Sequence, residues 1–333
     1  MKKLICLMLS AVLVLGLLCS CSRNVYPLSS TQIMMDTVVS VTIYDGDDGV
    51  LTGAMQLCKR YENLLSKTVP GSDVYKINHA NGRPVTVADD TAELLSIALD
   101  ISEKSGGAFD PTVLPLVELW DVNNATAAPD DAKVKAALES VGYQNILLDG
   151  NVVTVKNGAG LDLGGIAKGF IADKLTAYLK ESGIKSAIIN LGGNTVLVGG
   201  KNGGDFSVGV QKPFGKQNEL CATVMLRDKT AVTSGTYQRY FEQNGRLYHH
   251  IIDPKTGYPT DNGLDAVTVV TDSSAVADGL STACLILGVE KGKALAKIYG
   301  AELIFVDKNG KLTVTDRLVF DKNGKENILK LKE

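Results

Sequence analysis

A carboxylate, two adjacent glycines and a lysine lie within seven residues in the stretch Asp162-Leu163-Gly164-Gly165-Ile166-Ala167-Lys168. A glycine turn that leads from a strand into a helix lets backbone N–H groups face an anion. Lys168 would add a positive charge there, and Asp162 could accept a hydrogen bond from a polar ligand. Taken alone, the stretch predicts either an anion-binding turn or no more than a tight connection between a strand and a helix.

A second group of polar side chains, Asp278, Ser281 and Thr282, has the spacing i, i+3 and i+4. On a helix this spacing stacks the three side chains on one face. One carboxylate and two hydroxyls are hard oxygen ligands, which suit Mg²⁺ bound to a phosphate. The alternative is the ordinary solvated edge of a helix.

Two of the three histidines, His249 and His250, are neighbours at the start of a segment that ends in an Asp253-Pro254 turn. Adjacent residues of a strand point to opposite faces, so at most one of the two faces a given site. A histidine in that position could act as a general base near neutral pH. A purely structural histidine would fit the same pattern.

A further polar loop, Gly106-Gly107-Ala108-Phe109-Asp110-Pro111, follows a predicted helix. It could present Phe109 and Asp110 to a ligand. It could equally be a turn that ends the helix at the glycine pair.

The elements that must position these residues follow from hydrophobic periodicity. Apolar spacing predicts helices over 51–65, 92–105, 130–140, 166–182 and 274–287. Strand patterns occupy 34–43, the hairpin 146–155, residues 187–190 and 266–270 and much of 195–248, with 66–77 read as a loop. The pattern predicts the α+β fold class: a single domain of two intimately packed α/β lobes with mixed, largely antiparallel sheets. The glycines have neither dinucleotide-fingerprint nor P-loop spacing.

The N-terminus has the layout of an export signal. Two lysines precede an apolar run, and Leu18-Cys19-Ser20-Cys21 resembles a bacterial lipobox. We expect a signal peptide over 1–20, lipidation of Cys21, a tether over 21–33 and one domain over 34–333. The protein would then be anchored to the cell membrane by lipid and face the extracytoplasmic side.

Composition excludes some functions. A formal net charge of −3, without a dense basic run, gives no electrostatic case for nucleic acid as a partner. Beyond the predicted signal and lipid site, Cys58, Cys221 and Cys284 are odd in number and far apart, so neither a disulfide framework nor a metal site is indicated.

Several stretches together resemble the ApbE-like FAD:protein FMN transferases. The resemblance rests on three long blocks and three short ones, which occur in the family's order from Met34 to about Val306 and agree with a lipoprotein leader. The blocks are Asp162–Gly169, His250–Gly257, Ala277–Thr282, Met35–Thr37, Gly107–Pro111 and Asn190–Asn194.

The resemblance implies a function and a set of site residues. The activity would be Mg²⁺-dependent transfer of FMN from FAD to a threonine or serine hydroxyl of an exported or membrane flavoprotein, with release of AMP and with FAD bound between the lobes. Acceptors would be flavoprotein subunits of membrane electron-transport complexes. The implied FAD contacts are Met35, Ala108, Phe109, Asp110, Asp162, Lys168 and Ile252, and the implied metal ligands are Gly165 through its carbonyl, Asp278, Ser281 and Thr282.

Two positions depart from some relatives: Ser281 replaces an aspartate, and Ser66-Lys67-Thr68 replaces a flavin-contacting tyrosine. His250 and Asp278 are the expected catalytic residues, with His250 as the base that activates the acceptor hydroxyl. Alternatives are a pyrophosphatase that splits FAD into FMN and AMP, a non-catalytic FAD-binding lipoprotein, and a structural lipoprotein without nucleotide.

Overall fold

A computed structural model describes residues 27–216, 218–321 and 327–332. Its strands, in chain order, are β1 Leu28–Met34, β2 Thr37–Ile43, β3 Val85–Thr86, β4 Ile146–Asp149, β5 Val152–Val155, β6 Ala187–Leu191, β7 Asn194–Val198, β8 Phe206–Gln211, β9 Leu220–Leu226, β10 Thr230–Gly235, β11 Tyr240–Gln243, β12 Arg246–His249, β13 Leu264–Thr271, β14 Glu302–Asp307, β15 Leu312–Val314, β16 Leu318–Phe320 and β17 Ile328–Leu331. Its helices are α1 Asp48–Leu65, α2 Asp73–Asn78, α3 Asp89–Lys104, α4 Leu114–Trp120, α5 Asp131–Leu138, α6 Ala167–Glu181 and α7 Ser274–Ile298, with a 3₁₀ turn at Tyr143–Asn145.

One large sheet forms the centre of the molecule. Its strand order is β1-β2-β6-β7-β10-β13-β14-β15, and all its pairings are antiparallel. Strand β13 is buried at every position, as expected for a central strand covered on both faces. Helices α6 and α7 pack against one face, where they enclose the main hydrophobic core.

A second sheet, with strand order β16-β17-β9-β8, covers part of the opposite face. Buried side chains from both sheets, among them Leu197, Val224 and Val270, form a separate core between them. Its β9–β17 pairing is parallel, so the sheets are mixed and largely antiparallel. This agrees with the predicted α+β class.

A smaller lobe completes the fold with the hairpin β11–β12 and helices α4 and α5 around a core of its own, while the three-stranded sheet β3-β5-β4 packs into the main core. Trp120 is fully buried at the centre of the smaller lobe, and its indole N–H donates to the Gly257 carbonyl oxygen at 2.8 Å.

Helices α6 and α7 approach at backbone distance. A Cβ atom added at Gly169 would lie 2.1 Å from the Ser274 carbonyl oxygen, so only glycine allows this contact. The Asp173 carboxylate of α6 also accepts hydrogen bonds from Ser274 N at 2.7 Å and Ala275 N at 2.9 Å. One helix therefore caps the N-terminus of the other.

The predicted helices and strands are present, with several corrections to their bounds. Helix α1 begins three residues early because the Asp47 side chain caps it. The predicted loop 66–77 contains α2, which is capped by Ser72. The tether is wrong for residues 28–33, because they pair with β2 as strand β1.

Helix α7 also continues beyond the predicted end. Gly288, with φ 76°, breaks its geometry, and the helical segment resumes as far as Ile298. The predicted signal peptide and Cys21 lie outside the described residues. Within residues 27–216, 218–321 and 327–332, no helix is both long and apolar enough to cross a membrane.

Candidate active site

Several turns meet at one edge of the large sheet. The β1–β2 turn holds Met35 and Asp36, both with left-handed φ near 55°, and Met35 N donates to Glu62 Oε1 at 2.7 Å. The β6–β7 turn follows at Gly192, where an added Cβ would lie 2.2 Å from Thr37 Oγ1. Strand β10 ends at the same edge, because Thr233 N donates to the Gly193 carbonyl oxygen.

The glycine stretch is held in place by its own polar groups. Asp162 Oδ1 accepts from Gly164 N at 2.8 Å, and Asp162 Oδ2 accepts from Lys67 Nζ at 2.7 Å. Lys168 Nζ donates to the Gly164 carbonyl oxygen at 2.8 Å. The two predicted ligand contacts, Asp162 and Lys168, therefore flank the glycine pair.

The predicted oxygen ligands of α7 lie beside this stretch. Asp278 Oδ2 accepts from Gly169 N at 3.0 Å and lies 3.7 Å from Lys168 Nζ. Ser281 Oγ donates to the Asp278 carbonyl oxygen at 2.8 Å and lies 2.7 Å from Ser234 Oγ. Ser281 is fully buried between its helix and β10.

Gly165 adjoins the same group. An added Cβ there would lie 3.6 Å from Thr282 Oγ1 and 3.3 Å from the Phe109 ring. The backbone of the glycine turn therefore meets the hydroxyl of α7, and the structure brings together Gly165, Asp278, Ser281 and Thr282.

The ligand chemistry of this group is oxygen alone. Among the described residues, no three His, Cys, Asp or Glu side chains converge as a metal-binding group. One carboxylate, two hydroxyls and a main-chain carbonyl match the hard ligands of Mg²⁺, which usually retains waters and binds substrate phosphates as well.

The two adjacent histidines have different surroundings. His249 is buried, and its Nε2 lies 2.8 Å from the Thr260 carbonyl oxygen. His250 Nδ1 lies 3.3 Å from the Arg239 carbonyl oxygen. Because a carbonyl only accepts, the neutral ring of His250 holds its proton on Nδ1 and leaves Nε2 free as a base.

Burial lowers the pKa of His250 to about 3, and the nearby Arg239, His249 and Lys168 side chains act in the same direction. His250 is therefore neutral at physiological pH. Burial also lowers the pKa of Arg239, while the Asp162 and Asp36 carboxylates act in the opposite direction. Arg239 thus connects the glycine stretch, the β1–β2 turn and the histidine.

The loop after α3 is mostly internal. Ala108 and Phe109 are buried. The Asp110 carboxylate accepts from Thr112 N, Thr112 Oγ1 and Tyr143 N at 2.6–2.8 Å, while burial raises its pKa. Since those bonds hold the carboxylate within the loop, Asp110 supports the loop that carries Phe109.

Ile252 is also buried, 7 % exposed, and forms a bridge with Pro259 in the smaller lobe. Because its side chain is buried, Ile252 would contact a nucleotide through its main-chain atoms in the turn after His250. Met35, by contrast, is half-buried at the sheet edge.

Sequence reasoning missed three polar residues of the site: Ser234, Lys67 and Arg239. Ser234 reaches the site because β10 runs beside α7, and Lys67 because the segment after α1 folds onto Asp162. The short polar run Ser66-Lys67-Thr68 indicates a polar site residue in that segment. Ser234 and Arg239 reach the site only through strand pairing, which the sequence does not show.

The fold and this oxygen-rich site define a single-domain α+β protein with a polar site between a glycine turn and a helix. The ApbE family model matches residues 35–305, and the chain belongs to that family. The predicted resemblance is confirmed.

Among curated relatives, an FAD:protein FMN transferase of Klebsiella pneumoniae is 39% identical over 287 residues, which cover 84% of this chain and 89% of the relative. The FAD:protein FMN transferase of Treponema pallidum is 34% identical over 313 residues, covering 86% of each. These relatives are transferases by name.

Solved structures agree. The crystal structure of the Thermotoga maritima ApbE protein superimposes with a TM-score of 0.80 at 30% identity, covering 87% of this chain and 97% of that one. The flavin transferase ApbE from Vibrio cholerae has a TM-score of 0.77 at 26% identity, covering 87% and 96%.

Proposed function

We propose that this protein transfers FMN from FAD to a threonine or serine hydroxyl of an exported or membrane flavoprotein and releases AMP. The observation that carries the proposal is the convergence of Gly165, Asp278 and Thr282 beside Lys168, in a chain of the ApbE family. Flavoprotein subunits of membrane electron-transport complexes are the proposed acceptors.

The residues present fit a Mg²⁺ ion. Asp278 is 4 % exposed, yet its carboxylate has a lysine at 3.7 Å and one backbone N–H as partners, which leaves capacity for a cation. Asp278, Thr282 and the Gly165 carbonyl would hold the ion, with Ser281 completing the set. When bound, Mg²⁺ would supply Lewis-acid stabilisation of a pyrophosphate.

Positive side chains supply the rest of the electrostatics. Lys168 lies beside Asp278, Arg239 interacts electrostatically with Asp162, and both would attract the two phosphates of FAD. Fixed cations aimed at the pyrophosphate stabilise the charge that develops on the leaving AMP. Asp162 would then accept from a polar edge of the ligand, held in orientation by Lys67.

His250 is the proposed base. Its free Nε2 would take the proton of the acceptor hydroxyl as that oxygen bonds to the phosphorus of the FMN half of FAD. The bond between that phosphorus and the bridging oxygen breaks, and the bridging oxygen leaves with AMP as part of its monophosphate. A pKa of about 3 keeps His250 unprotonated before the reaction, at the cost of basic strength.

We also propose that the mature protein is lipidated on Cys21 and tethered outside the cytoplasmic membrane. The support is the Leu18-Cys19-Ser20-Cys21 pattern after an apolar run. Labelling with an alkyne fatty acid in cells should mark the wild-type chain and leave Cys21→Ala unmarked. Equal labelling of both chains would contradict the proposal.

One incubation tests the activity. Purified protein, FAD and Mg²⁺ are mixed with an exported flavoprotein domain that lacks its flavin, and the products are separated by mass spectrometry. Covalent FMN on the acceptor with equimolar AMP is expected. Free FMN and AMP would identify a pyrophosphatase, and unchanged FAD would leave binding alone. Asp278→Ala serves as the inactive comparison, with the exposed Asp149→Ala as its control.

A further inference from the structure

A polar cleft of about 150 Å³ lies between the two large sheets, on the face of the central sheet opposite the α7 hydroxyls. Thr233 and Thr268 form part of its floor, with their hydroxyls 2.8 Å apart. The side chain of the next residue, Ser234, lies on the other face of the sheet and contacts Ser281. The cleft and the proposed metal site are thus back to back across β10.

The cleft reaches the edge of the sheet that carries the histidine. Gln238 lines the cleft and donates to the Thr233 carbonyl oxygen at 3.4 Å. The following residue, Arg239, provides the carbonyl that pairs with His250 Nδ1. A chain lying in the cleft would therefore end within a residue or two of the proposed base.

One wall of the cleft is a strand edge. The cleft is lined by the four consecutive residues Val208–Gln211. Alternate side chains of a strand point to opposite faces, so four residues in a row can line the cleft only if the backbone of β8 also faces it. In the part of the chain that the structure describes, β8 is the terminal strand of its sheet and pairs with β9 alone. Its outer N–H and C=O groups can pair with another extended chain.

Gly209 lies within this edge. In a strand, a glycine allows another backbone to approach closely. Here the Leu220 side chain already occupies part of that space, since an added Cβ would lie 2.8 Å from it. Leu220 is 51% exposed and could pack on an incoming chain.

An aromatic rim borders the cleft. Phe214 is 50% exposed and has a left-handed φ of 54°, an uncommon conformation for a bulky residue. Its ring lies 6.1 Å from that of Tyr237, a cleft-lining residue, and 5.6 Å from that of Tyr240, which is 40% exposed. Exposed aromatics beside a groove are typical of protein-binding surfaces.

The lining favours a polypeptide over other ligands. None of the described lining residues is charged, so the cleft offers no ion pair to a phosphate or lipid headgroup. Asn190, Thr195 and Gln238 offer amide and hydroxyl groups, which match the donors and acceptors of a peptide backbone.

We propose that an extended segment of the acceptor protein binds in this cleft as an added strand on β8 and presents its hydroxyl to His250. The proposal rests on the proposed transferase function. It assigns substrate recognition to the cleft between the sheets, on the far side of the central sheet from the metal ligands.

Two variants test the cleft by opposite means. Asn190 is exposed and its side chain makes one long hydrogen bond, 3.5 Å, to Thr195, so Asn190→Phe should fill the cleft without disturbing the core. Phe214→Ala removes the rim. The matched control is Thr86→Phe, at an exposed strand position on the three-stranded sheet.

The probe is a mixture of synthetic 12-residue peptides with a fixed central threonine and randomised flanks, assayed for gained FMN. For Asn190→Phe and Phe214→Ala we expect at least a tenfold rise in KM for peptide, with the FAD dissociation constant and the Thr86→Phe kinetics unchanged. Wild-type kinetics for both cleft variants would overturn the proposal.

Hydrogen exchange on the wild-type chain with peptide, in the absence of FAD, separates the two hypotheses. Protection of the amides of 206–211 supports peptide binding in the cleft, whatever the outcome of the transfer assay. A lack of FMN transfer in that assay would contradict the transferase function and not the cleft. Peptide-dependent protection confined to other strands overturns the cleft. Protection that rises with the concentration of the chain itself, without peptide, overturns it too, because a second copy would then occupy the edge.

Discussion

Lys168 Nζ lies 3.7 Å from Asp278 Oδ2, between two helices that are more than a hundred residues apart in sequence. Both side chains are largely shielded from solvent, at 24% and 6% exposure. The ammonium therefore partly neutralises the carboxylate that is proposed to hold Mg²⁺, and lysine and metal compete for it.

Replacing this lysine should separate metal binding from nucleotide binding. In Lys168→Met we expect Mg²⁺ to bind the FAD-free protein about tenfold more tightly, because a like charge is removed beside its carboxylate. FAD should bind more weakly, since the pyrophosphate loses a cation. Calorimetric titration with each ligand measures both changes, and an unchanged Mg²⁺ affinity would place the ion elsewhere.

The close contact of α6 and α7 should not tolerate a methyl group. Gly169→Ala puts a Cβ 2.1 Å from the Ser274 carbonyl oxygen, so the helices must separate. We expect a loss of about 1–3 kcal/mol in the free energy of unfolding, and a larger proportional loss of FAD binding. Urea unfolding and fluorescence titration report the two quantities.

Gly53→Ala is the matched control for that substitution. Gly53 is also helical, but its added Cβ would meet the hydroxyl end of Tyr178, which can move away. Helix propensity favours alanine by up to about 1 kcal/mol. Equal destabilisation by the two substitutions would contradict the backbone-contact explanation.

The pH dependence of transfer should carry little signal from His250. Its pKa is lowered to about 3, chiefly by burial and then by Arg239. The neutral base is present above that value, so kcat/KM should show no acidic limb from this residue between about pH 5 and 8. A limb near the ordinary histidine pKa that vanishes in His250→Gln would contradict this.

Arg239→Gln should move the acidic limb of the kcat/KM profile, which depends on His250, to higher pH. Removing the cation raises the pKa of His250, although burial keeps it below the ordinary value. The acidic limb should then lie at a higher pH than in the wild type. Arg83→Gln, an exposed arginine beside the three-stranded sheet, should keep the wild-type profile.

Lys67 should act through Asp162. Their side chains are 2.7 Å apart, with 32% and 14% exposure. A double-mutant cycle with Lys67→Met and Asp162→Asn should give a coupling of about 1 kcal/mol in unfolding, and each single variant should raise KM for FAD. The pair Lys212–Glu219 is equally short, at 2.6 Å, but more exposed, and its coupling should be smaller.

Local patterns predicted the parts of the site that lie within single elements. The glycine turn before α6 and the i, i+3, i+4 polar residues of α7 follow from spacing alone, and the structure has both. Ser234 could not be found in this way. Its position depends on β10 pairing with β13 and lying under α7, which is a matter of sheet order.

Strand β1 shows the same limit. Its residues are mostly exposed or half-buried and lack a hydrophobic alternation, so the segment looks like a tether in sequence. Full pairing with β2, from Leu28↔Ile43 to Met34↔Thr37, makes it a strand. Edge strands of this kind are defined by a neighbour's hydrogen bonds, which composition does not record.

The Asp173 cap also has a consequence for how the chain acquires its site. The first turn of α7 is completed by a carboxylate that lies 101 residues earlier, on the helix that follows the glycine turn, and α7 carries the proposed metal ligands. Closing so long a loop is slow and cooperative. A chain truncated before α7 should not bind nucleotide even weakly. Nucleotide binding should therefore be an all-or-none measure of completed folding.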